Sequence, residues 1–272
     1  MVTPSRLAVV ICTYNRSGLL TRTLASLYDD GYMGEESVDI MVVANNCSDD
    51  TLSRLGSFKM AHSNTRLRLD WLQEPRAGKS FALNAAIERT HNEVLCFVDD
   101  DQTVEPGFLQ HLLEGLDRYR EESIFCGRLW PAWDGSEPSW VHATDSYAIP
   151  IRPFPEFDLG DSSASIGPEG RFPGGGNITV RRGVFERVGR FSVELGPVGH
   201  NLAGGEDHEF LHRATQGGFS IRYLPGVRQL HAIDSERMSS GYVIRKSYVR
   251  SRAAFLIHAG NAGHVSTCSA RF

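Results

Sequence analysis

The chain has 272 residues, of which 41% are hydrophobic and 22% are charged, so it can bury a substantial core. Its net charge of -5 argues against non-specific nucleic-acid binding, which needs a basic surface. No apolar run approaches the ~20 residues that span a bilayer, and the N-terminus has no secretory signal pattern, so we expect neither feature.

The cysteines indicate a reducing compartment. Five is an odd number, and no Cys-x-x-Cys pair is present, which argues against a thiolate zinc site. Cys12 and Cys96 lie within apolar runs, so we interpret them as buried free thiols. The sequence therefore favours a cytoplasmic location.

The first half of the chain alternates apolar runs with helical patterns. Strands are predicted at residues 7–12, 39–44, 67–72 and 94–98, and helices at residues 17–28, 78–89 and 106–119. This alternation predicts an α/β protein whose central sheet is mostly parallel, flanked by helices and joined by right-handed crossovers.

The second half has a less regular pattern. Residues 130–176 are rich in Pro, Gly, Ser and aromatic residues and show little periodicity, which is typical of a substrate-binding region or a lid. Helical patterns return at residues 182–188 and 206–215. Two strand-like runs, residues 220–223 and 227–231, stand on either side of Pro225-Gly226.

No internal repeat and no sharp linker divides the chain. We therefore expect one domain over residues 1–259. Its nucleotide half would cover about residues 1–128 and its acceptor half about 129–259, followed by a flexible tail at 260–272.

Three consecutive carboxylates, Asp99, Asp100 and Asp101, end the apolar run at 94–98. Ligands bind at the carboxyl ends of strands in such sheets, and clustered carboxylates repel one another unless a cation neutralises them. If strand geometry persists, Asp99 and Asp101 point to the same side and suit Mg²⁺ or Mn²⁺. The alternative is a solvated loop in which Asp101 caps the helix near Pro106.

Two polar segments, residues 13–16 and 45–51, follow the first and second predicted strands. In a parallel sheet they face the same crevice as the carboxylates, where they could contact a base, a ribose or a phosphate. The alternative is helix capping, with Ser48 or Asp49 satisfying the free amides of a helix that begins at Thr51.

The segment Arg76-Ala77-Gly78-Lys79-Ser80 is only superficially similar to a phosphate loop. The complete pattern needs a glycine at position 73, which is Gln73. No Gly-x-Gly-x-x-Gly follows a strand either, so neither nucleotide motif is present.

Together these segments resemble family 2 glycosyltransferases of the GT-A fold. The resemblance runs from about residue 7 to about residue 252, and its motifs are specific in their order and spacing rather than singly. They are Val10-Ile11-Cys12-Thr13-Tyr14-Asn15-Arg16, residues 45–51, Arg76-x-Gly78-Lys79-x-x-Ala82-x-Asn84, Val98-Asp99-Asp100-Asp101, Gly174-Gly175-Gly176-Asn177, residues 182–191, Glu206-Asp207 and His231.

The resemblance implies a GT-A type sheet and a metal-dependent, inverting transfer of a single sugar. The donor would be a nucleoside-diphosphate sugar, the acceptor a carbohydrate or a lipid-linked hydroxyl, and the setting glycan or polysaccharide biosynthesis. The Gln-x-x-Arg-Trp motif of processive synthases is absent, which favours single-sugar transfer. Retaining chemistry stays open from sequence alone.

The resemblance also implies roles for single residues. Asp99, Asp101 and His231 would hold Mn²⁺ or Mg²⁺, with Asp101 as the direct ligand. Asp207 would be the general base, and Glu206 would orient the acceptor or raise the pKa of Asp207. Donor contacts would come from Thr13, Tyr14, Asn15, Arg16, Asn45, Arg76, Lys79, Asp99 and Asp100.

One departure and several alternatives limit this reading. The family's second strand commonly ends in an Asp that pairs with uracil, and Ala44 stands there, so GDP-, dTDP- and other donors stay open. A sugar nucleotidyltransferase and an inactive nucleotide- or carbohydrate-binding protein are the rival functions. Glu206 and Asp207 could also be acids that simply favour a helix N-terminus.

Residues 242–258 mix four cations with aromatic and aliphatic side chains. A basic amphipathic helix of this kind could lie on the anionic inner face of a membrane, although such helices more often pack on their own domain.

Overall fold

The computed structural model describes residues 5–63, 66–142, 154–199 and 204–261, and its central element is a nine-stranded mixed sheet. The strands are β1 (Leu7–Thr13), β2 (Val38–Asn45), β3 (Leu67–Glu74), β4 (Val94–Asp99), β5 (Gln102–Val104), β6 (Ile124–Ala132), β7 (Ala164–Ile166), β8 (Ile178–Arg181) and β9 (Ile221–Ala232). The helices are α1 (Ser17–Tyr28), α2 (Thr51–Ala61), α3 (Lys79–Arg89), α4 (Phe108–Arg118), α5 (Arg182–Val188), α6 (Glu206–Gln216) and α7 (Ser240–Asn261), with short 3₁₀ helices at Ser139–His142, Gly175–Asn177 and Ser235–Met238.

The strands follow the order β3-β2-β1-β4-β8-β6-β9-β5, and β7 pairs with β9. The first four strands pair in parallel with one another, as the strand–helix alternation predicts, whereas β8 is antiparallel to both β4 and β6. The predicted α/β class with a mostly parallel central sheet is confirmed. Strands from both halves of the chain share this one sheet.

Each face of the sheet packs against helices. Successive β1 side chains alternate between two cores: Val9 and Ile11 pack with α1, α2 and α4, whereas Val10 packs with α3, α5 and α6. Because both faces of β1 are covered, its run of apolar residues is continuous rather than alternating.

The register of the central strands aligns their carboxyl ends. Cys12 of β1 pairs with Asp99 of β4, and Thr13 pairs with Ala44 of β2. The polar segments that follow these strands therefore begin at one edge of the sheet, where the sequence predicts the donor site.

The second half departs from the sequence predictions. The two runs around Pro225-Gly226 form one continuous strand, β9, and residues 124–132 form β6, which the sequence analysis missed. The β6–β9 register shifts at Gly127, where a Cβ atom would lie 2.1 Å from the Val227 carbonyl oxygen. Because the bulge absorbs the irregularity, β9 passes Pro225 without ending.

The predicted C-terminal tail begins within a helix. Helix α7 extends to Asn261, so it includes the first residues of the predicted tail, while residues 262–272 lie outside the described ranges. Among the helices that the structure describes, none is both long enough and apolar enough to cross a bilayer. Cys96 is a buried free thiol, as predicted. Cys12 is also a free thiol, but its side chain is only half-buried.

Candidate active site

The three carboxylates of residues 99–101, here called the triplet, occupy a turn at the end of β4. The strand ends at Asp99, and Asp100 and Asp101 belong to the turn, so the alternation of an extended strand does not continue through them. Asp99 Oδ1 lies 2.5 Å from Lys79 Nζ, and Asp100 Oδ2 accepts a 2.7 Å hydrogen bond from Thr13 Oγ1. Each carboxylate therefore has its own partners, and Asp99 and Asp101 do not act as one parallel pair.

Asp101 is the most densely contacted member of the triplet. Its side chain is 7% exposed, and its Oδ2 atom accepts from Arg16 at 3.2 Å and from Arg237 at 3.0 Å. Its Oδ1 atom lies 3.2 Å from Nε2 of His231, which β9 places there. Arg16 also donates to Asp100 Oδ1 at 3.2 Å, so one guanidinium bridges two carboxylates.

Burial and neighbouring charges give the triplet unequal ionisation. Burial, helped by the negative charge of Asp101, raises the pKa of Asp100 to about 6. Burial alone would raise the pKa of Asp101 too, but His231, Arg237 and Arg16 outweigh it and hold that pKa below its ordinary value. Burial lowers the pKa of His231, which favours the neutral imidazole.

A glycine-rich turn connects the triplet to the second acidic group. Gly175 donates its backbone N–H to Asp207 Oδ2 at 2.7 Å. A Cβ atom on the next residue, Gly176, would lie 2.6 Å from Asp99 Oδ2. The predicted Gly174–Asn177 segment thus brings Asp99 and Asp207, far apart in sequence, to consecutive residues of one turn.

Glu206 and Asp207 begin α6 and differ in their environments. Burial, reinforced by Asp207, raises the pKa of Glu206 to about 7, and its buried Oε2 atom has no hydrogen-bond partner among the described residues. Burial also acts to raise the pKa of Asp207, but hydrogen bonds from His208 and the charge of Lys79 hold it well below its ordinary value. The prediction that Glu206 raises the Asp207 pKa is therefore wrong; the like-charge effect falls on Glu206.

Lys79 stands between the two acidic groups. Burial would lower the pKa of Lys79, but the charges of Asp99, Glu206 and Asp207 outweigh burial and raise it. The cation at the start of α3 thus joins the triplet and the Glu206-Asp207 pair into one electrostatic unit.

Several predicted donor contacts hold loops in this structure. Asn45 uses its side-chain amide to donate to the Glu74 and Arg76 carbonyls, and its oxygen accepts from Gly78 N–H. Asn15, in the left-handed region at φ 52°, accepts from the backbone of Ser48 and Asp49. These two asparagines tie together the loops that follow β1, β2 and β3.

Capping and ion pairing account for two further predictions. Asp49 Oδ1 accepts from the Thr51 N–H at 3.1 Å, so Asp49 rather than Ser48 satisfies the start of α2, as one alternative predicted. Arg76 pairs with Glu74 and lies over the Phe81 ring, 4.8 Å from its centroid. Both contacts of Arg76 are thus to residues near it in the chain, and the Tyr14 ring lies close to Gly199.

The residues fit a hard divalent cation in their chemistry. Within the described ranges, no ready-made group of three or more His, Cys, Asp or Glu side chains surrounds a cation position. The carboxylates of Asp99 and Asp101 and the neutral imidazole of His231 are nonetheless oxygen and nitrogen donors suited to Mn²⁺ or Mg²⁺. His231 directs Nε2 toward Asp101 Oδ1, so a cation shared by these two side chains would be held through Nε2 and that carboxylate.

Three residues of the site were missed in the sequence. Arg237 follows β9 on the 3₁₀ helix Ser235–Met238 and reaches Asp101. Gln229 donates to both the Gly176 carbonyl and Gln102 Oε1 at 3.0 Å, so it ties the glycine turn to the triplet. Gln102 directly follows the triplet and could have been found by position; the other two required the β5–β9 pairing.

Comparison with known proteins agrees with this geometry. The sequence profile described as Glycosyl transferase family 2 matches residues 8–189. The chain is 22% identical over 240 residues to the succinoglycan biosynthesis protein ExoM of Rhizobium meliloti (strain 1021), covering 88% of this chain and 70% of that protein. It is 22% identical over 257 residues to the glucosyl-dolichyl phosphate glucuronosyltransferase of Haloferax volcanii, covering 89% and 74%.

Solved structures give the same fold. The mannosyltransferase PcManGT from Pyrobaculum calidifontis, in complex with GDP-Man and Mn²⁺, superposes with a TM-score of 0.67 at 18% identity, covering 98% of this chain and 68% of that one. S. aureus TarS gives 0.64 at 15% identity, covering 96% and 40%. The chain thus spans less than half of TarS, and at these identities the likeness concerns the fold alone.

Proposed function

Because the chain belongs to glycosyl transferase family 2 and is a glycosyltransferase, we propose that it transfers one sugar from a nucleoside-diphosphate donor to an acceptor hydroxyl, with inversion and with Mn²⁺ or Mg²⁺. The observation that carries the proposal is the glycine turn that places Asp207 beside the triplet. In an inverting displacement the base and the leaving-group site lie on opposite sides of one anomeric carbon, so they must be within reach of the same sugar. The proposal is supported by the turn because Gly175 contacts Asp207 and the next residue, Gly176, lies beside Asp99.

Asp207 is the base in this proposal. The acceptor oxygen attacks the anomeric carbon from the side opposite the leaving diphosphate; as that C–O bond forms, the hydroxyl proton passes to Asp207 and the bond to the diphosphate breaks. The depressed pKa keeps Asp207 ionised at neutral pH, and the N–H groups of Gly175 and His208 orient its carboxylate. Positioned bases typically contribute ~10²–10⁴-fold.

The triplet and its neighbours receive the leaving diphosphate. Asp99, Asp101 and His231 would hold the cation, which when bound offsets the negative charge that accumulates on the leaving group. Lys79 and Arg16 contribute fixed positive charge at the same edge. Thr13 donates a hydrogen bond to Asp100, so in this proposal Asp100 positions the turn and is not a cation ligand.

The nucleotide base is left open by the second strand. Ala44 is 2% exposed and pairs in register with Thr13. Because its side chain is a methyl group, it offers no acceptor to a pyrimidine N–H. PcManGT was solved with GDP-Man, and one TarS structure with UDP-GlcNAc, so both bases belong in a donor screen.

A lipid-linked acceptor is supported by helix α7. Ile244, Tyr248 and Phe255 are 71%, 71% and 65% exposed, and at 100° per residue they fall within about 40° on one side of the helix. The helix contains four Lys or Arg residues and no acid, in a chain of net charge -5. We infer that this side of α7 binds an anionic bilayer, as one relative acts on a dolichyl phosphate.

Vesicle sedimentation tests the α7 inference. We expect binding to vesicles of phosphatidylglycerol and phosphatidylcholine but not of phosphatidylcholine alone, and loss of binding in Tyr248→Glu. The control is Met33→Glu, because Met33 is 86% exposed but lies outside α7. Equal binding to both lipid compositions, or retention by Tyr248→Glu, would count against the inference.

Donor hydrolysis tests the reaction class. With Mn²⁺ and a panel of nucleotide sugars, a sugar transferase slowly releases nucleoside diphosphate as water replaces the acceptor. An inactive binding protein releases nothing, and a nucleotidyltransferase given pyrophosphate forms nucleoside triphosphate. Thermal-shift screening against the same panel identifies the donor base.

A further inference from the structure

Three cationic side chains of the chain itself surround the triplet. Lys79 contacts Asp99, Arg16 contacts Asp100 and Asp101, and Arg237 contacts Asp101. Any cation that binds the triplet therefore enters a buried cluster that already contains these three positive charges.

Both oxygens of Asp101 are occupied by these contacts. His231 takes Oδ1, and the guanidinium groups of Arg16 and Arg237 share Oδ2. A divalent cation bound to Asp101 would lie close to both guanidinium groups, and repulsion between the like charges favours the release of one of them. A cation alone would add two positive charges to this buried cluster, whereas a cation together with a diphosphate adds little net charge.

Arg237 has a second acidic partner besides Asp101. It stands on the short 3₁₀ helix after β9, and its Nε atom lies 3.3 Å from the carboxylate of Asp234, which is 61% exposed. If Arg237 leaves Asp101, it keeps an ionic partner at Asp234. Arg16, in contrast, is also bound to Asp100 and so is held at the triplet by a second carboxylate.

We propose that Arg237 neutralises Asp101 in the donor-free enzyme and transfers to the donor diphosphate when the divalent cation takes its place, so that cation and nucleotide bind cooperatively. The inference rests on the proposed metal-dependent function. Because coupling is reciprocal, the nucleotide increases cation affinity by the same factor by which the cation increases nucleotide affinity.

The test is a set of binding titrations on the full chain at pH 8. Mn²⁺ is titrated alone with electron paramagnetic resonance; UDP, GDP and dTDP are titrated by calorimetry with EDTA and with Mn²⁺. For the wild type we expect the nucleotide that binds to gain at least about tenfold in affinity from Mn²⁺. Arg237→Gln should bind Mn²⁺ alone about tenfold more tightly and the Mn²⁺–nucleotide pair about tenfold more weakly.

Two variants separate exchange from a structural role. Arg237→Lys keeps the charge but not the planar fork, so its affinity for Mn²⁺ alone should stay near the wild-type value while its nucleotide affinity falls. Arg228→Gln removes an arginine of β9 that pairs with Glu105 and should change neither affinity. Thermal unfolding of each variant confirms that it is folded.

The outcomes are distinguishable. Opposite shifts in Arg237→Gln support the exchange. Unchanged or weaker binding of Mn²⁺ alone in that variant overturns it while leaving metal dependence intact, as does a wild type in which Mn²⁺ and nucleotide bind independently. A wild type that binds no Mn²⁺ with any nucleotide overturns the proposed metal dependence, and the exchange with it.

Discussion

The two acidic groups of the site are built in opposite ways. In the triplet each carboxylate contacts at least one cationic side chain. In the Glu206-Asp207 pair Asp207 is stabilised as an anion, while Glu206 has a buried oxygen with no partner among the described residues and a pKa of about 7. Two acidic groups that meet at one turn can therefore have different electrostatic environments, which fits the separate roles proposed for them: cation binding at the triplet and proton transfer at the pair.

The largest expected effect concerns the pair. Asp207→Asn removes the proton acceptor but keeps the side-chain shape, so we expect transfer to fall by about 10³-fold while donor binding stays within about twofold of wild type. Single-turnover transfer and donor titration measure the two quantities. The matched control is Glu209→Gln, which should retain activity. Glu209 lies two residues after Asp207 on α6 and pairs with Arg213. Equal losses of transfer and donor binding in Asp207→Asn would remove Asp207 from the base role.

The next effect concerns the triplet. Asp101→Ala removes the proposed cation ligand, and we expect Mn²⁺-dependent donor affinity to fall by at least about 10–100-fold, the range found when the partners of metal ligands are lost. The matched control is Asp70→Ala, because Asp70 is an exposed carboxylate paired with Lys59 at another part of the sheet. A manganese titration in which Asp101→Ala matches the wild type would contradict the ligand assignment.

The turn between the two groups should be sensitive to a single methyl group. In Gly176→Ala the new Cβ atom would lie 2.6 Å from Asp99 Oδ2 and 2.7 Å from Gln102 Nε2, so the turn or the triplet must shift. We expect about tenfold loss of both donor affinity and transfer, because displacement of about an ångström is costly at a catalytic site. In Gly174→Ala the nearest atom is Asp207 Oδ2 at 4.0 Å, and near-wild-type behaviour is expected. Similar losses in both variants would point to backbone flexibility instead of the close approach.

The sequence predicts those parts of the fold and the site that depend on residues close together in the chain. The continuous apolar run of β1, the exact bounds of α1 and α5, and the triplet at the end of β4 are set by residues close together in the chain. Arg237 is different, because it meets Asp101 only through the antiparallel pairing of β5 with β9. The bulge at Gly127 has the same limit, because the close approach of Val227 comes from a distant segment.

The acid pair shows the same limit in its electrostatics. The adjacency of Glu206 and Asp207 indicates that their charges interact, but it does not say which pKa moves. The structure decides this, since the backbone N–H of His208 and that of Gly175 both point at Asp207, whereas Glu206 faces Gly196 and Ser80 in the interior. The direction of a pKa shift therefore depends on tertiary contacts, even for two residues that are adjacent in the chain.

A separate effect, on stability rather than on activity, is the pH dependence that Glu206 causes. Its pKa is raised from 4.5 to about 7 in the folded protein, so the folded state holds a proton that the unfolded state releases near pH 4.5. Stability from this group is complete below pH 4.5 and is lost as pH rises through 7. Glu206→Gln cannot ionise, so its free energy of unfolding relative to wild type should rise by on the order of 2 kcal/mol between pH 5 and pH 8. Denaturant unfolding at several pH values measures the difference, and Glu209→Gln should show no such trend. A difference that is flat with pH would mean that Glu206 stays ionised, and the contrast between the two acidic groups would then disappear.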